Sequence, residues 1–260
     1  MVRGLYTSAI GMAIQQKRMD TASNNLSNAS TTGFRRDVVV TQAFSDVLAR
    51  RVRDYELQGI SVIGSGMLGP MSLGVTINTI HRDFSSGSLS QTGSAFDTAI
   101  IGQGFFRVAH VNSEGEVTEM FTRDGSFTMG ADGTLVTLGG FEVLDATGAP
   151  ITIPEGIMSI GAGGEVIVDG EHVATLGMVT FESLADLRPF GHNLYTAIEE
   201  AVQMPFAGRI QQGYIESSNV NTVQEMVTMI AISRAYEANS RMIQMQDDTL
   251  RQAVNEIARA

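Results

Sequence analysis

The sequence predicts an α+β protein in which long N- and C-terminal helices pack as a coiled coil, with a mainly antiparallel β central domain between them. Both ends of the chain carry apolar residues in a seven-residue rhythm, which is the spacing of a coiled-coil seam. The middle is divided by glycines, prolines and short apolar runs about every ten residues, a pattern typical of antiparallel strands.

The N-terminal helix is predicted from positions that are alternately four and three residues apart. These seam positions are Leu5, Ala9, Met12, Gln16, Met19, Ser23 and Leu26. The chain then becomes rich in Asn, Ser and Thr, whose side chains compete for backbone hydrogen bonds and so disfavour helix. Asn28 and Gly33 are both suited to a left-handed stop.

The C-terminal helix shows the same rhythm over about 36 residues, or about 54 Å. Its seam positions are Met229, Ile232, Tyr236, Asn239, Ile243, Gln246, Leu250, Ala253 and Ile257. Thr222 and Glu225 have the spacing of a capping box, and Asn221 is an alternative cap. Further apolar residues lie off the seam: Val223, Val227, Ile230, Ala231, Met242 and Met245. A helix that is apolar on more than one side must be covered on more than one side.

Four segments follow from these patterns. They are an N-terminal helix (1–33), an extended or β connecting segment (34–94), a central β domain (95–210) and a C-terminal helix (211–260) that forms an inner helical domain with the first. Within the β domain, Asp132-Gly133 between two apolar runs predicts a hairpin. Gly102-Gln103-Gly104 is read as a tight turn, because the third glycine and the helix of a dinucleotide fingerprint are missing.

Charge is distributed unevenly along a chain whose net charge is −11. Residues 1–54 hold 8 basic and 4 acidic residues, whereas residues 95–210 hold 4 basic and 16 acidic ones. An acidic middle argues against nucleic acid as a partner, because phosphate binding needs clustered Lys and Arg. The preferred interpretation of this charge is a solvated surface on which like charges keep molecules apart, and the alternative is that the basic N-terminal part complements acidic neighbours in an assembly.

The sequence predicts neither a catalytic site nor a metal or cofactor site. There is no cysteine, and none of the four histidines lies within five residues of another, so no local ligand pattern exists. Asp124-Gly125 is read as a turn, with Arg123 paired to a carboxylate. The first thirty residues lack the features of a Sec signal peptide, and no apolar run reaches membrane-spanning length.

Six segments, in order along nearly the whole chain, resemble motifs of the flagellar basal-body rod and hook protein family. They are Ser23–Arg36, Ile101–Phe106, Thr122–Phe127, Gly191–Tyr195, Gln212–Asn221 and Arg234–Asn239. The resemblance implies a structural subunit that polymerises helically into a hollow axle across the periplasm and transmits torque from motor to hook. It implies export through the flagellar type III apparatus without a cleaved signal peptide.

The partners implied by this resemblance are copies of the chain, other flagellar rod and hook proteins, the export apparatus and the rings around the rod. The expected assembly-interface residues lie near both chain ends: Leu5, Met12, Met19, Leu26, Asn28, Gly33, Phe34, Asn219, Asn221, Ile232, Tyr236, Asn239, Ile243, Leu250 and Ile257.

Three alternatives stand beside a rod subunit. A hook or hook–filament junction subunit shares the same mechanics, and the layer within the rod also stays open. A non-flagellar β binding module with helical arms is disfavoured because such modules rarely need both chain ends in one seam. A hydrolase that uses Asp124 or His192 has no nucleophile–base arrangement in its favour.

Overall fold

The structure is a computed structural model that describes residues 2–43, 75–111, 117–191 and 193–257. Within these ranges there are two α-helices, α1 (Val2–Ser27) and α2 (Thr222–Ile257). The glycine-rich stretch 59–74 and His192 lie outside the described residues. Neither helix is apolar enough over a sufficient length to cross a membrane.

Short strands and one 3-10 turn (Leu184–Asp186) occupy the chain between the helices. The strands are β1 (Asp37–Ala43), β2 (Val75–Arg82), β3 (Leu89–Gln91), β4 (Thr98–Ile101), β5 (Phe105–Val111), β6 (Val117–Thr122), β7 (Phe127–Met129), β8 (Leu135–Thr137), β9 (Glu142–Val143), β10 (Met158–Ile160), β11 (Glu165–Val168), β12 (Glu171–Thr175), β13 (Met178–Phe181), β14 (Leu187–Gly191), β15 (Leu194–Ala197), β16 (Gln203–Pro205), β17 (Arg209–Gln212) and β18 (Tyr214–Glu216).

The chain divides into two compact units. Unit 1 combines residues 1–27, 37–83 and 221–260 and contains α1, α2 and the β1–β2 pair. Unit 2 combines residues 28–36 and 84–220 and contains the remaining strands. Both units therefore include residues from early and late in the chain.

The helices α1 and α2 pack against each other within unit 1, but the predicted coiled coil is wrong. In α1 the seam positions Ala9, Gln16 and Ser23 are exposed. The buried positions are Ser8, Ile14, Thr21, Ala22 and Asn25. The reason is that α1 contacts the β1–β2 pair as well as α2, so its buried face is wider than one heptad seam.

Two glycines of α1 lie against polar side chains of α2. A Cβ atom on Gly4 would overlap the side-chain amide of Gln246, and one on Gly11 would lie 3.0 Å from the Oδ1 atom of Asn239. Small residues allow two helix backbones to approach closely, whereas a coiled coil inserts large knobs into holes. The polar residues placed in the α2 seam thus face glycines of α1.

Asp37 of β1 is bound both by Asn25 of α1 and by Arg82 of β2. Asn25 Nδ2 donates to the carbonyl of Asp37 and Asn25 Oδ1 accepts from its amide, both at 2.9 Å. Arg82 Nε and Nη2 bind the two carboxylate oxygens of Asp37 at 2.7 and 2.8 Å. This bidentate geometry aligns the end of β2 with the start of β1.

Helix α2 begins at Thr222, where the capping signal predicts it, and its N-terminus is capped by the alternative residue. Asn221 Oδ1 accepts from the Gln224 amide at 3.0 Å, and the Asn221 carbonyl accepts from the Glu225 amide at 2.9 Å. An Asn side chain at this position satisfies one of the free amides of the first turn.

Two isoleucines of α2 differ sharply in exposure and give a matched test of unit 1. Ile232 is 7% exposed and Ile230 is 56% exposed. Ile232→Ala is expected to lower the free energy of unfolding of unit 1 by about 2–5 kcal/mol, because it leaves a cavity in the packed face. Ile230→Ala should change it by less than about 0.5 kcal/mol. Urea denaturation followed by helical circular dichroism measures both, and equal effects would contradict the burial.

The strands of unit 2 pair antiparallel throughout the described residues, as the sequence predicts. Its largest sheet has the strand order β14-β15-β6-β5-β9-β8-β7, with β13 also paired to β5. The predicted hairpin is present, since Phe127 pairs with Thr137 across the turn that contains Gly133.

Two apolar clusters form the core of unit 2. The larger gathers buried residues of many strands, including Phe106, Met120, Leu135 and Val166. The smaller is aromatic: Phe105 lies between Phe181 and Tyr195, with ring centroids 6.0 and 5.6 Å away. Strand β5 contributes to both clusters, through Phe106 and Phe105.

Candidate functional site

The segment that follows α1 folds into a turn that is part of unit 2. The Thr31 amide donates to the Asn28 carbonyl at 3.1 Å, and the Phe34 amide donates to the Thr31 carbonyl at 3.4 Å. Gly33 is left-handed, with φ of +67°, and Phe34 is buried. The left-handed residue thus lies six residues after α1 ends rather than at its last turn.

A buried cluster of two arginines and one glutamate lies beside this turn. Glu216 Oε1 accepts from Arg35 Nη2 at 2.7 Å, and Oε2 accepts from Arg123 Nε at 2.6 Å. The side chains are 1%, 2% and 4% exposed for Glu216, Arg35 and Arg123. The Gly87 amide is the third donor to this carboxylate and binds Oε1 at 2.8 Å. We call these three side chains the Glu216 cluster.

Arg123 also binds backbone carbonyls at the turn between β4 and β5. Its Nη2 atom donates to the carbonyls of Ile100 and Gly102 at 3.1 and 2.6 Å, and Nη1 donates to the carbonyl of Gly104. The planar guanidinium with its several donors is suited to this. The prediction that Arg123 pairs with a carboxylate is confirmed, and the Gly102-Gln103-Gly104 turn is held by that arginine.

Further hydrogen bonds fasten the 28–36 turn to unit 2. The Gly33 amide donates to the Glu216 carbonyl at 2.8 Å. Thr32 Oγ1 lies 2.6 Å from Asp124 Oδ1, and Asn193 Nδ2 donates to the Thr32 carbonyl at 2.7 Å. Asp124 Oδ1 also accepts from the Ser126 amide at 3.0 Å, which forms the predicted turn.

The electrostatics of the cluster favour a charged Glu216. Burial alone raises the pKa of Glu216, but the charges of Arg123 and Arg35 and their hydrogen bonds outweigh it and hold this pKa below its ordinary value. Burial lowers the pKa of Arg123, and Arg35 adds to this, while Glu216 opposes it. An arginine stays protonated under all ordinary conditions, so the cluster contains two cations and one anion.

The Glu216 cluster joins distant parts of the chain, because its three residues come from three separate segments. Arg35 and Arg123 are always charged and cannot act as a base. Among the described residues, no three His, Cys, Asp or Glu side chains are grouped so as to hold a metal ion. The arrangement is suited to holding segments together.

Helix α2 carries a second feature, a row of exposed apolar side chains. These are Val223, Met226, Val227, Ile230, Met242, Met245 and Val254. Val223, Val227 and Ile230 are spaced four and three residues apart, so they lie on one side of the helix. We call Val223, Met226, Val227, Ile230, Met242 and Met245 the exposed α2 face.

Comparison with known proteins matches three segments of the chain to flagellar families. Residues 5–35 match the model for flagella basal body rod protein, residues 99–168 that for the flagellar hook protein FlgE/F/G D1 domain, and residues 211–256 that for the flagellar basal body rod FlgEFG protein C-terminal. Each matched segment contains one member of the Glu216 cluster.

Full-length relatives agree with these matches. The chain is 34% identical to flagellar basal-body rod protein FlgG of Bacillus subtilis, over 98% of this chain and 99% of the relative. It is 34% identical to FlgG of Buchnera aphidicola subsp. Schizaphis graminum, over 96% and 98%. It is 32% identical to flagellar basal-body rod protein FlgF of Caulobacter vibrioides, over 100% and 99%. The chain belongs to the flagellar basal-body rod protein family.

The structure brings the expected interface residues of this rod-family chain into two places. In unit 1, Leu5, Met12, Met19 and Leu26 of α1 are half-buried, as are Asn239, Ile243 and Leu250 of α2. Ile232 is buried, Tyr236 is exposed and Asn221 caps α2. The side chain of Ile257 lies outside the described residues.

The remaining expected residues belong to unit 2. Asn28, Gly33 and Phe34 form the turn after α1. Asn219 Oδ1 accepts from the Arg36 amide at 2.8 Å, and its Nδ2 donates to the Ser85 carbonyl at 3.1 Å. Asn219 therefore binds the end of the turn that contains Gly33.

Sequence reasoning did not single out Arg35 or Glu216. The available signal was their position inside the motifs Ser23–Arg36 and Gln212–Asn221, where each is a charged residue among small and polar ones. A carboxylate partner for Arg123 was predicted without its identity, because Glu216 is 93 residues away in the chain and no local pattern connects the two.

Proposed function

We propose that this chain is a structural subunit of the flagellar basal-body rod, which polymerises helically with copies of itself and with other rod and hook proteins. The observation that carries this proposal is the exposed α2 face. An apolar surface of this kind costs about 25 cal/mol for each Å² left in water. Covering it with a second copy removes that cost, and repeating one head-to-tail contact produces an open helix.

The names of the relatives support the same role. Proteins called basal-body rod protein FlgG and FlgF match this chain over nearly its full length. The finer features come with the proposal: a hollow axle across the periplasm that transmits torque, export without a cleaved signal peptide through the type III apparatus, and contact with rings around the rod. Its interface includes the half-buried α1 residues Leu5, Met12, Met19 and Leu26 and the half-buried α2 residues Asn239, Ile243 and Leu250.

A role as a hook or junction subunit is the second candidate function, and one observation favours it. Residues 99–168 match a model whose description names the hook protein together with its relatives. The chain's antiparallel unit 2 is compatible with both roles. Image reconstruction of purified basal bodies separates them by the axial level at which this chain is found.

Aspartate substitutions in α2 test the rod proposal. Val227→Asp and Ile230→Asp are expected to abolish swimming and to remove assembled rods, because a charge on the exposed α2 face cannot be buried between copies. Ile243→Asp and Leu250→Asp should do the same. The measurements are soft-agar swimming and electron microscopy of basal bodies in a strain that carries only the variant gene.

A matched control separates assembly from folding. Val227 and Ile230 are exposed in the single chain, so their variants should keep wild-type circular dichroism. Leu138→Asp places the same charge on an exposed apolar residue of unit 2 and should leave swimming intact. Normal rods in both exposed-face variants would overturn the proposal.

A further inference from the structure

We infer that Glu216 is an acid-sensitive latch that fastens the turn of residues 28–36 to unit 2 and releases it when its carboxylate is protonated. The inference stands on the geometry of the Glu216 cluster and does not depend on the proposed function.

Four residues donate hydrogen bonds to Glu216. The side chain of Glu216 accepts from Arg35 of the turn, from Arg123 at the end of β6 and from the Gly87 amide. Its carbonyl accepts from the Gly33 amide. Arg35 and Gly33 are both in the 28–36 turn, so Glu216 holds the turn through side chain and backbone together.

The second step is the charge balance. Among the described residues, Arg35 and Arg123 are the charged groups that contact the Glu216 carboxylate. Arg35 Nη1 is buried with no hydrogen-bond partner in this part of the chain. A neutral Glu216 would leave two buried guanidinium groups side by side without a counter-ion, which is strongly unfavourable. Arg35 is the one that can leave, since the Arg123 guanidinium also binds three carbonyls.

The third step is the pH range. The folded pKa of Glu216 is lower than its ordinary value of 4.5, so the charged form stabilises the latch at and above that pH. Stability is lost as pH falls from 4.5 towards the folded pKa. Between pH 4.5 and the folded pKa, release of the turn is accompanied by uptake of one proton on Glu216. Protection of the turn against hydrogen exchange therefore falls about tenfold per pH unit in this range.

Hydrogen exchange read by mass spectrometry tests the latch. In the wild-type chain, amides of residues 28–36 should lose protection about tenfold per pH unit below 4.5 after correction for intrinsic exchange, while β5 and β6 stay protected. Glu216→Gln mimics the protonated carboxyl, so it should show low protection of 28–36 already at pH 7, with no further loss on acidification.

Asp124→Asn is the matched control, because Asp124 is a second carboxylate that contacts the turn, through Thr32. The substitution keeps an acceptor oxygen, so its pH profile should follow the wild type. Two results would overturn the latch. One is that protection of residues 28–36 in the wild-type chain stays constant as the pH is lowered from 4.5. The other is that Asp124→Asn removes this pH dependence. These two profiles decide the outcome even where Glu216→Gln does not fold. Wild-type protection at pH 7 in a folded Glu216→Gln chain would equally overturn it.

Discussion

Arg123→Met is expected to lower the free energy of unfolding of unit 2 by about 3–5 kcal/mol, the usual cost of breaking a buried ion pair by removing one partner. The substitution removes two kinds of interaction, and both losses lower the stability of unit 2. Glu216 keeps only Arg35 as a counter-ion, and the carbonyls of Ile100, Gly102 and Gly104 lose their donors. A buried polar group without a partner is costly to keep.

Arg107→Met provides the matched control for this loss. Arg107 lies on β5 and forms an ion pair with Glu119, but both side chains are partly exposed. Pairs of this kind contribute about 1 kcal/mol or less. Urea denaturation with hydrogen exchange of β5 and β6 as the reporter measures both variants. Equal losses for Arg107→Met and Arg123→Met would show that burial of the cluster has no special weight.

Gly33→Ala is expected to destabilise unit 2 by about 2–5 kcal/mol, from two effects that act together. The left-handed backbone at φ of +67° disfavours any residue with a Cβ atom. That Cβ would also lie 2.6 Å from the Asp124 amide nitrogen and 2.7 Å from the Arg123 carbonyl carbon. Both are backbone atoms, so the 28–36 turn must move away from the cluster.

Gly93→Ala separates the two effects. Gly93 has φ of +75°, yet a Cβ there would meet no atom within 4 Å. Its substitution should therefore cost only the conformational part, about 1–2 kcal/mol. The difference between the two variants in urea midpoint, converted through a shared m-value, gives the steric part. A loss at Gly33 no larger than the loss at Gly93 would contradict the close packing of the turn.

Local patterns predicted the elements of this fold well. The extent of α2 followed from the heptad spacing and a cap signal, and the β7–β8 hairpin followed from Asp132-Gly133 between apolar runs. These features depend on residues that are near one another in the chain. The coiled-coil seam predicted for α1 was wrong, because the heptad spacing alone does not include the β1–β2 pair that contacts another side of the helix.

The Glu216 cluster could not be predicted in the same way. Arg35 and Glu216 are 181 residues apart and Arg123 and Glu216 are 93 apart, and no periodicity relates them. Because most arginines in proteins are exposed, the sequence alone predicts a solvated side chain at Arg35 and Arg123. The resemblance to rod and hook proteins drew attention to the three motifs that contain Arg35, Arg123 and Glu216. It did not indicate that these three residues meet in one ion cluster.

The separation of these residues along the chain has a consequence for the order of folding. The 28–36 turn is complete only when Glu216 is present, although α1 and the turn itself are made from the first part of the chain. In a chain that is made or exported N-terminus first, Arg35 cannot form its ion pair until Glu216 has emerged, 181 residues later. Contacts of such long range are slow to form because a large loop must close first. The first turn after α1 is therefore expected to be among the last parts of unit 2 to become ordered.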